Sequence, residues 1–505
     1  MLKPIDDFLN KYTMYKVVLY GLLVLVAISF LLSFAGILFY NPVQLSTSLL
    51  IIFLSCFLSN FVFSKLLHAP TNVESYLITA LILFFIFLPV GNMLDVTTLI
   101  AAGVIAMGTK YIFAIKNKHI FNPAAASALI LGLLGSGNAL WWVGSDILLP
   151  FVVIIGLLIV RKIRRFRLFF AFLIAALATT TLFGLINENP IQQIITEAFT
   201  SGPLIFFATV MLTEPLTTPP TKKLQMLYGG LVGILFGSQF AFGPVYSTPE
   251  LALIIGNIYS YIVSPKTKMF LSFKEHNKIA ENTYEYVFRS NQTLHYKPGQ
   301  YLEWTLPHKR ADMRGNRRYF TIASSPTEKH LRLGVKIGEN GSSFKKKLTN
   351  YQSGDVIVGS QLTGDFTMPD DASEKLVFIA GGIGVTPFRS MIKYLLDKGE
   401  KRSIILFYAN KTADEIAYKD IFDRAQQELG LKSIYVLSDK EHIPSGWLGK
   451  VGRIDETMIT QEVPDFKERT YYLSGPNAMV DSYKHLLLKM GVSKTNIVTD
   501  YFPGF

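Results

Sequence analysis

The chain has 505 residues, 50% of them hydrophobic and 17% charged, which is too long for one domain and too apolar for an average soluble protein. Its formal net charge is +12, and the Lys and Arg of the apolar first half cluster in loops between apolar runs, which indicates membrane topology and argues against a nucleic-acid partner. Cys56 is the single cysteine, so a disulfide or a cysteine-ligated iron–sulfur cluster within one chain is excluded.

Residues 1–265 alternate apolar runs with short charged loops, and this pattern predicts a polytopic α-helical membrane domain of about ten spans. The runs lie at roughly 16–40, 46–67, 76–90, 94–112, 121–136, 147–160, 168–186, 203–213, 225–243 and 250–264. With a cytoplasmic N-terminus, all the Lys and Arg between these runs fall in inward loops and none in outward loops. The sequence therefore predicts a multi-pass cell-membrane protein in contact with lipid, with both termini and the C-terminal half in the cytoplasm.

Two stretches interrupt the apolar pattern, KNKHIFNPAA at 116–125 and SGPLIFFATVMLTEPLTTPPTKK at 201–223. In the second, Pro219 and Pro220 forbid a regular helix after Glu214. Irregular backbone at membrane depth is tolerated only where protein or a cavity covers it. The second stretch is therefore either a broken helix that lines a site or an ordinary loop at the cytoplasmic face.

The stretches HIFNPAA and TSGPLIFFATVMLTEPLTTPPTKKLQMLYGGLVGILFG resemble the membrane subunit shared by the Rnf complex and the sodium-translocating NADH:quinone reductase, the RnfD/NqrB family. The resemblance covers roughly residues 75–265, with T-E-P here in place of the usual T-D-P. It implies flavins within the membrane and electron transfer through it. The family's S-G-A-T motif, whose threonine takes a covalent FMN, is replaced by GSGNALWWVGSD at 135–146. Covalent FMN is therefore not expected, and noncovalent FMN or riboflavin in the membrane domain stays open.

The period of the sequence changes after residue 265. Short β-rich runs separated by Gly, Pro and Asn predict an antiparallel β-barrel over 266–370, and alternating strands and helices predict a parallel α/β domain over 371–505. A barrel followed by such a domain resembles the ferredoxin-NADP reductase superfamily, which implies an FAD-binding barrel and an NAD-binding domain. The chain thus reads as three domains, 1–265, 266–370 and 371–505.

The run RRYFTIASSP resembles the flavin strand of that superfamily. Alternation along a strand places Arg318 and Phe320 on one face and Tyr319 and Thr321 on the other. The resemblance implies that Arg318 binds the FAD pyrophosphate, since guanidinium donors match phosphate oxygens in pairs, while Phe320 contacts the flavin ring and the Thr321 hydroxyl lies near flavin N5. We include Tyr319, between them, among the cofactor-binding residues.

The run KIGENGSSFKKKL places Gly341, Ser342 and Ser343 between a strand and a helix. Either serine can cap the helix, whose free N–H groups face an anion. In the superfamily this loop completes the pyrophosphate site.

The run AGGIGVTPFRS, at 380–390, follows a strand and opens a helix. Gly382 and Gly384 allow close approach of the backbone to a diphosphate, Thr386 suits the N-cap, and Pro387 suits the first helical position. We expect these residues to bind the nicotinamide nucleotide.

Three further stretches match the nicotinamide end of the superfamily's site. Ser474, Gly475 and Pro476 stand where C-G-P is common, YANK lies at 408–411, and Phe505 ends the chain where some relatives place an aromatic ring on the flavin. We assign the catalytic positions to Thr321, Ser474 and Phe505. Asp439 stands where NADPH-dependent relatives often have arginine, and an acid would repel the 2′-phosphate, so we expect NADH rather than NADPH.

The sequence therefore predicts a membrane-bound NAD(P)H-dependent FAD oxidoreductase without a metal site. NADH would reduce FAD at the cytoplasmic face, and electrons would then enter the membrane toward quinone or an extracytoplasmic acceptor or carrier. A haem-based reductase needs His pairs on facing spans, but His68 and His119 are the only histidines before residue 270. A redox-driven ion pump or transporter, with Glu214 in the ion path, is the alternative.

Overall fold

The computed structural model describes residues 3–67, 73–115, 118–243, 245–264, 268–308, 311–312, 315–338 and 341–502. It divides into two compact units, Met1–Thr267 and Lys268–Phe505.

The first unit is built mainly from apolar helices, several of which begin at polar caps. The helices are α1 Lys3–Asn10, α2 Met14–Phe34, α3 Pro42–Leu66, α4 Val73–Ile86, α5 Met93–Ile112, α6 Pro123–Leu133, α7 Leu149–Ile163, α8 Phe166–Ile186, α9 Ile191–Thr200, α10 Leu204–Phe206, α11 Lys222–Gly237 and α12 Pro249–Val263. Two short hairpins, β1 Ala114–Ile115 with β2 Lys118–His119 and β3 Ala241–Phe242 with β4 Val245–Tyr246, complete it. The side chains of Asn41, Asn92 and Asn122 accept hydrogen bonds from N–H groups of the first turns of α3, α5 and α6, so these caps set where the three helices start.

The expected ten spans are not confirmed. By length and composition, four helices of the described residues can cross a membrane: α2, α3, α5 and α8. The runs predicted at 76–90, 121–136 and 250–264 form the shorter helices α4, α6 and α12. Helix α9, in a stretch that the apolar pattern leaves between spans, was not predicted; only Ile194 along it is buried.

The same pattern of helix contacts occurs in both halves of this unit. In the first half α3 packs on α5 and α5 on α6, and in the second half α8 packs on α11 and α11 on α12. The two halves meet where α2 contacts α7 and where α6 contacts α12. One apolar core, which includes Phe84, Phe85, Phe206 and Phe207, runs through both halves.

The second unit starts with a curled antiparallel sheet. Its strands are β5 Met269–Ala280, β6 Thr283–Ser290, β7 Tyr301–Thr305, β8 Arg317–Thr321, β9 Leu331–Lys336 and β10 Val356–Thr363, in the spatial order β8-β7-β10-β5-β6-β9, with helix α13 Ser343–Leu348 after β9. Inward side chains such as Leu271, Phe288 and Trp304 form its core. The expected antiparallel architecture is confirmed.

A parallel sheet with helices follows. Its strands are β11 Leu376–Gly381, β12 Ile404–Asn410, β13 Lys432–Leu437, β14 Lys450–Val451, β15 Thr470–Pro476 and β16 Ile497–Phe502, and its helices are α14 Thr386–Lys398, α15 Lys419–Leu429, α16 Glu456–Glu462 and α17 Asn477–Lys489. All six residues of β11 are buried, as expected for a strand covered on both faces.

The order of these strands is β14-β13-β12-β11-β15-β16, so the direction of succession reverses between β11 and β15. In open α/β sheets, ligands bind at the carboxyl ends of the strands beside such a reversal. The topology therefore predicts a ligand site at the loops that follow β11 and β15.

Candidate functional site

Strand β8 presents Arg318 and Phe320 to the same neighbour, as their alternation predicts. The Phe320 ring lies 5.7 Å from the Phe344 ring, and the Arg318 guanidinium lies 5.5 Å from the centre of the Phe344 ring. The Arg318 side chain is 10% exposed, and its Nη1 donates to the carbonyl oxygens of Gly315 and Arg317. A partly buried guanidinium is thus fixed beside aromatic rings on the edge strand of the antiparallel sheet.

One carboxylate bridges Arg318 and the start of α13. Asp312 Oδ1 accepts from Arg318 Nη2 at 3.2 Å, and Asp312 Oδ2 accepts from the backbone N–H of Ser343 at 2.9 Å. The Ser343 hydroxyl in turn accepts from the backbone N–H of Asp312. Arg318 and Ser343 can therefore hold two oxygens of one anion at the same time, which is the donor arrangement that a phosphate requires.

The two predicted serines have different roles in this loop. Of the two serines predicted as possible caps, Ser342 is the N-cap of α13, and its hydroxyl accepts from the N–H of Lys345. Ser343 is the first helical residue, and its N–H binds the carboxylate of Asp312. Gly341 precedes them and donates its N–H to the carbonyl oxygen of Gly338, which closes the turn.

Tyr319 and Thr321 lie on the other face of β8 from Arg318. The Tyr319 hydroxyl donates to Glu303 Oε2 at 2.9 Å, and the Tyr319 ring contacts Tyr301. Thr321 is 4% exposed, at the end of the strand. The structure therefore separates Tyr319 from the anion-binding group, while Thr321 lies where β8 leads into the segment that meets α14.

The glycine turn at the carboxyl end of β11 differs from the expected capped start of a helix. Residues Gly382–Val385 form a 3-10 turn that continues directly into α14. Val385 takes the N-cap position in a helical conformation with no capping side chain, Thr386 is the first helical residue, and Pro387 is the second. The predictions of Thr386 as the N-cap and of Pro387 as the first helical residue were both wrong by one position, because the preceding turn is already helical and a capping residue is normally extended.

The two predicted glycines of this turn serve different purposes. Gly382 has φ +52°, and a Cβ added to it would meet no atom within 4 Å, so its open side is accessible to a ligand. A Cβ on Gly384 would lie 2.6 Å from Gly475 Cα and 2.6 Å from the carbonyl oxygen of Ser474. Gly384 therefore lets the loops after β11 and β15 touch, rather than facing a diphosphate.

Four polar side chains at the carboxyl ends of β12 and β15 have buried atoms without a hydrogen-bond partner among the described residues. They are Asn410 Oδ1 and Nδ2, Thr412 Oγ1, Ser474 Oγ and Asn477 Oδ1. Buried polar atoms are nearly always paired in native proteins, so such a group next to the strand reversal indicates a place for a polar ligand. Ser474 was predicted by name, Asn410 and Asn477 lie within the matching stretches YANK (408–411) and LSGPNAMV (473–480) but were not singled out, and Thr412 was missed.

The remaining predicted residues lie around this group. Gly475 is buried and Pro476 is exposed at the end of β15, directly before α17. Asp439 follows β13, where its carboxylate accepts from the Glu441 N–H at 3.1 Å and lies 3.1 Å from His442 Nδ1. Phe505 lies outside the described residues.

A second polar group joins the two interrupted stretches of the first unit. Asn122 Nδ2 donates to Glu214 Oε2 at 3.0 Å, His119 Nε2 lies 3.7 Å from Glu214 Oε1, and the Thr217 hydroxyl donates to Glu214 Oε2. Residues 204–213 are buried and contain a π-helical turn at Phe207–Met211. Such a buried, irregular helix favours the broken-helix interpretation over an ordinary loop.

Three segments of the chain match known families. Residues 132–268 match the NQR2, RnfD, RnfE family, residues 271–367 match the oxidoreductase FAD-binding domain, and residues 378–485 match the oxidoreductase NAD-binding domain. The glycine turn and the polar group at the strand reversal lie within the last match, and the Arg318 group lies within the second.

Individual proteins resemble part of the chain. One component of the Na(+)-translocating NADH-quinone reductase of Methylococcus capsulatus is 32% identical over 202 residues, covering 37% of this chain and 49% of that protein. The reductase component of the glycine betaine monooxygenase of Pseudomonas aeruginosa is 24% identical over 216 residues, covering 42% of this chain and 58% of that protein. The chain thus spans about half the length of the curated relatives it matches.

Among solved structures, the flavohaem-like FAD/NAD-binding domain of nitric oxide dioxygenase from Vibrio cholerae has 20% sequence identity and a TM-score of 0.41, covering 46% of this chain and 98% of that chain. The domain composition of the chain is that of an NAD(P)H-dependent FAD oxidoreductase. The chain therefore joins a segment of the NQR2, RnfD, RnfE family to an oxidoreductase FAD-binding domain and an oxidoreductase NAD-binding domain.

Proposed function

We propose that this protein is a membrane-bound oxidoreductase in which NADH reduces FAD and the electrons then enter the membrane unit. The observation that carries the proposal is the group of unpaired buried polar atoms at the strand reversal, within the match to an NAD-binding domain and directly after the match to an FAD-binding domain. The relative named as part of an NADH-quinone reductase supports the same reaction class.

The residues of the barrel fit FAD. Arg318 and the N–H of Ser343 already hold one anion, the carboxylate of Asp312, and would hold a phosphate oxygen of the cofactor instead. Phe320 and Phe344 offer aromatic surface beside them. When bound, FAD supplies the acceptor for a hydride, which carries two electrons and one proton.

The residues of the α/β domain fit a dinucleotide. The open side of Gly382, in the turn that leads directly into α14, suits the close approach of a diphosphate. Asn410, Ser474 and Asn477 offer both donors and acceptors for a carboxamide. Their burial excludes water from the place where the hydride would leave NADH.

Anaerobic mixing of the purified full-length protein with NADH tests the proposal. We expect the visible absorbance of bound flavin to bleach, with one equivalent of NADH consumed for each flavin that is fully reduced. Bound FAD that NADH leaves oxidised would contradict the proposal, whereas bleaching by a chemical reductant alone would show only that the flavin is present.

The exit of the electrons is the second part of the proposal. We place the protein in the cell membrane with its termini and the second unit in the cytoplasm, and we infer a noncovalent flavin, FMN or riboflavin, in the membrane unit. The family match at 132–268 and four helices long enough to span support this. Acid extraction followed by separation of FAD, FMN and riboflavin counts the flavins, and quinone reduction in proteoliposomes tests quinone against an extracytoplasmic acceptor or carrier.

Ion movement driven by the redox reaction is a second candidate function. Glu214, His119 and Asn122 form a buried polar group at a broken helix, and ionisable groups in such places mark ion paths in membrane proteins. Proteoliposomes that oxidise NADH without building a sodium or proton gradient would exclude this function. Glu214→Gln should remove the gradient, with the exposed Glu197→Gln as its control.

Asp312 competes with FAD for the same donors. We expect Asp312→Ala to bind FAD about threefold to tenfold more tightly than the wild type, because the rival carboxylate and its repulsion of the pyrophosphate are removed. Titration of the FAD-free protein, followed by flavin fluorescence, measures the effect. Asp355→Ala, on a barrel turn away from Arg318, serves as the control, and weaker binding by Asp312→Ala would refute the competition.

Asp439 should set the preference for NADH. Its pKa is lowered, chiefly by the hydrogen bond from the Glu441 N–H and then by His442, so the carboxylate stays charged at neutral pH and repels a 2′-phosphate. We expect Asp439→Ser to raise kcat/KM for NADPH about tenfold relative to NADH. The exposed Asp420→Ser should leave the ratio unchanged, and a wild-type protein that prefers NADPH would overturn this role.

A further inference from the structure

An arginine buried in α14 joins the nucleotide-binding domain to the segment that follows the flavin strand. Arg389 is 4% exposed, one turn into a helix whose neighbouring residues Phe388 and Met391 are fully buried apolar side chains. Burying a guanidinium costs free energy unless it is paired and hydrogen-bonded, so the partners of Arg389 indicate what its burial contributes.

The Arg389 guanidinium forms its hydrogen bonds with residues that follow the flavin strand in the barrel. Its Nη1 donates to the carbonyl oxygen of Ala323 at 3.1 Å and to the carboxylate of Glu328, and its Nη2 donates to Glu328 Oε1 at 3.0 Å. The contact is therefore the two-pronged pairing that arginine forms with a carboxylate, with a backbone oxygen added.

Glu328 is itself held in place. Its Oε2 accepts from the backbone N–H of Ser325 at 2.7 Å, and its Oε1 lies 3.0 Å from Arg332 Nε. The residue after Arg389 adds another bond, since the Ser390 hydroxyl donates to the carbonyl oxygen of Ser324 at 2.6 Å, and both serines are fully buried. Three consecutive residues, Ala323 to Ser325, are thus tied to two consecutive residues of α14.

These two segments lead to the two halves of the proposed reaction. Ala323 lies two residues after Thr321, at the end of the flavin strand β8. Arg389 lies three residues after Thr386, and α14 continues from the glycine turn without a break. Because a helix and the turn that opens it move together, the Arg389 contacts fix the turn relative to the end of β8.

We propose that Arg389 is a positioning residue that, held by Glu328, sets the distance between the nucleotide turn and the flavin strand and thereby the rate of hydride transfer. The inference rests on the proposed function. Reacting atoms must approach to about 3–3.5 Å, and a shift of about 1 Å can cost on the order of 100-fold in rate. Lysine keeps the charge at this position but lacks the paired donors, so it cannot hold Glu328 and Ala323 together.

The test compares Arg389→Lys with Arg424→Lys in the full-length protein. Arg424 is an exposed arginine of α15 that pairs with Glu428 along its own helix. For Arg389→Lys we expect hydride transfer from NADH, measured by stopped flow, to slow about 10-fold to 100-fold, while FAD content stays complete and KM for NADH changes by less than about threefold. Arg424→Lys should behave as the wild type.

Two readouts separate positioning from general damage. With NADH deuterated at the transferred position, the isotope effect on kcat should rise in Arg389→Lys, because the chemical step becomes limiting. Partial unfolding would instead lower kcat and leave the isotope effect unchanged. In FAD-free protein, hydrogen exchange of the peptide covering 322–328 should become faster in Arg389→Lys but not in Arg424→Lys. The double variant Arg389→Lys with Glu328→Gln should be no slower than Arg389→Lys alone, since both changes remove one interaction.

A wild-type rate of hydride transfer with an unchanged isotope effect in Arg389→Lys would overturn the inference. If that variant does not fold, Ser390→Ala and Glu328→Gln decide the question by the same two readouts, and wild-type values in both would overturn it. Failure of NADH to reduce the flavin of the wild type would instead refute the proposed function, so the two outcomes are distinct.

Discussion

Arg318→Ala should purify with less than about a tenth of the FAD of the wild type. A charge-assisted hydrogen bond to phosphate contributes about 1.5–3 kcal/mol, and Arg318 can supply two. Since each ~1.4 kcal/mol is tenfold in Kd, we expect FAD binding to weaken on the order of 100-fold to 10,000-fold. Flavin absorbance per protein after gel filtration measures retention, and titration of FAD-free protein gives Kd.

The loss should be confined to the cofactor. Arg289→Ala removes an exposed arginine from the barrel strand β6 and should keep its FAD. Arg318→Lys should fall between the two, because an ammonium keeps the charge without the paired donors. Full retention of FAD by Arg318→Ala would show that the anion site built around Ser343 does not bind the cofactor.

Gly384→Ala should cost both stability and hydride transfer. The added Cβ would lie 2.6 Å from Gly475 Cα, 2.6 Å from the carbonyl oxygen of Ser474 and 2.7 Å from the backbone nitrogen of Gly475. Backbone atoms cannot rotate away as a side chain can, so the loops after β11 and β15 must separate. Overpacking of this kind costs about 1–3 kcal/mol, and a displacement near 1 Å slows hydride transfer on the order of 100-fold.

Thermal unfolding and stopped-flow reduction by NADH measure the two effects. Gly338→Ala is the matched control, because an added Cβ there meets no atom within 4 Å and the glycine is exposed. FAD content should be unchanged in both variants, since neither residue binds the anion held by Arg318. A Gly384→Ala protein with wild-type stability and rate would mean that the two loops do not meet as closely as 2.6 Å.

The sequence was sufficient wherever the governing rule is local. The change of composition near residue 265 predicted separate membrane and soluble parts, because burial in lipid and burial in a small core demand different periods of apolar residues. Alternation along β8 predicted that Arg318 and Phe320 share a face, and both contact Phe344. A serine cap at position 342 or 343 was recognisable because capping involves residues three apart, and the structure assigns it to Ser342.

Local rules were not sufficient to count the membrane spans or to assign the N-cap of α14. Ten apolar runs were visible, but four helices of the described residues have the length and composition to span, since several runs end in turns and polar caps that hydropathy does not register. Thr386 has the side chain of a cap, but the preceding turn is already helical. The backbone conformation there depends on the contact of Gly384 with the loop after β15, which is remote in sequence.

The sequence by itself determined the kinds of unit and the glycine turn between a strand and a helix, because these follow from composition, period and spacing over a few residues, while the flavin strand is what the family resemblance implies. The tertiary structure alone decided that Asn410 and Ser474 lie at the carboxyl ends of the two strands that flank β11, and that Arg389 meets Glu328. The physical reason is strand order: β15 pairs beside β11 although about ninety residues separate them, and only that pairing brings the carboxyl ends of these strands together.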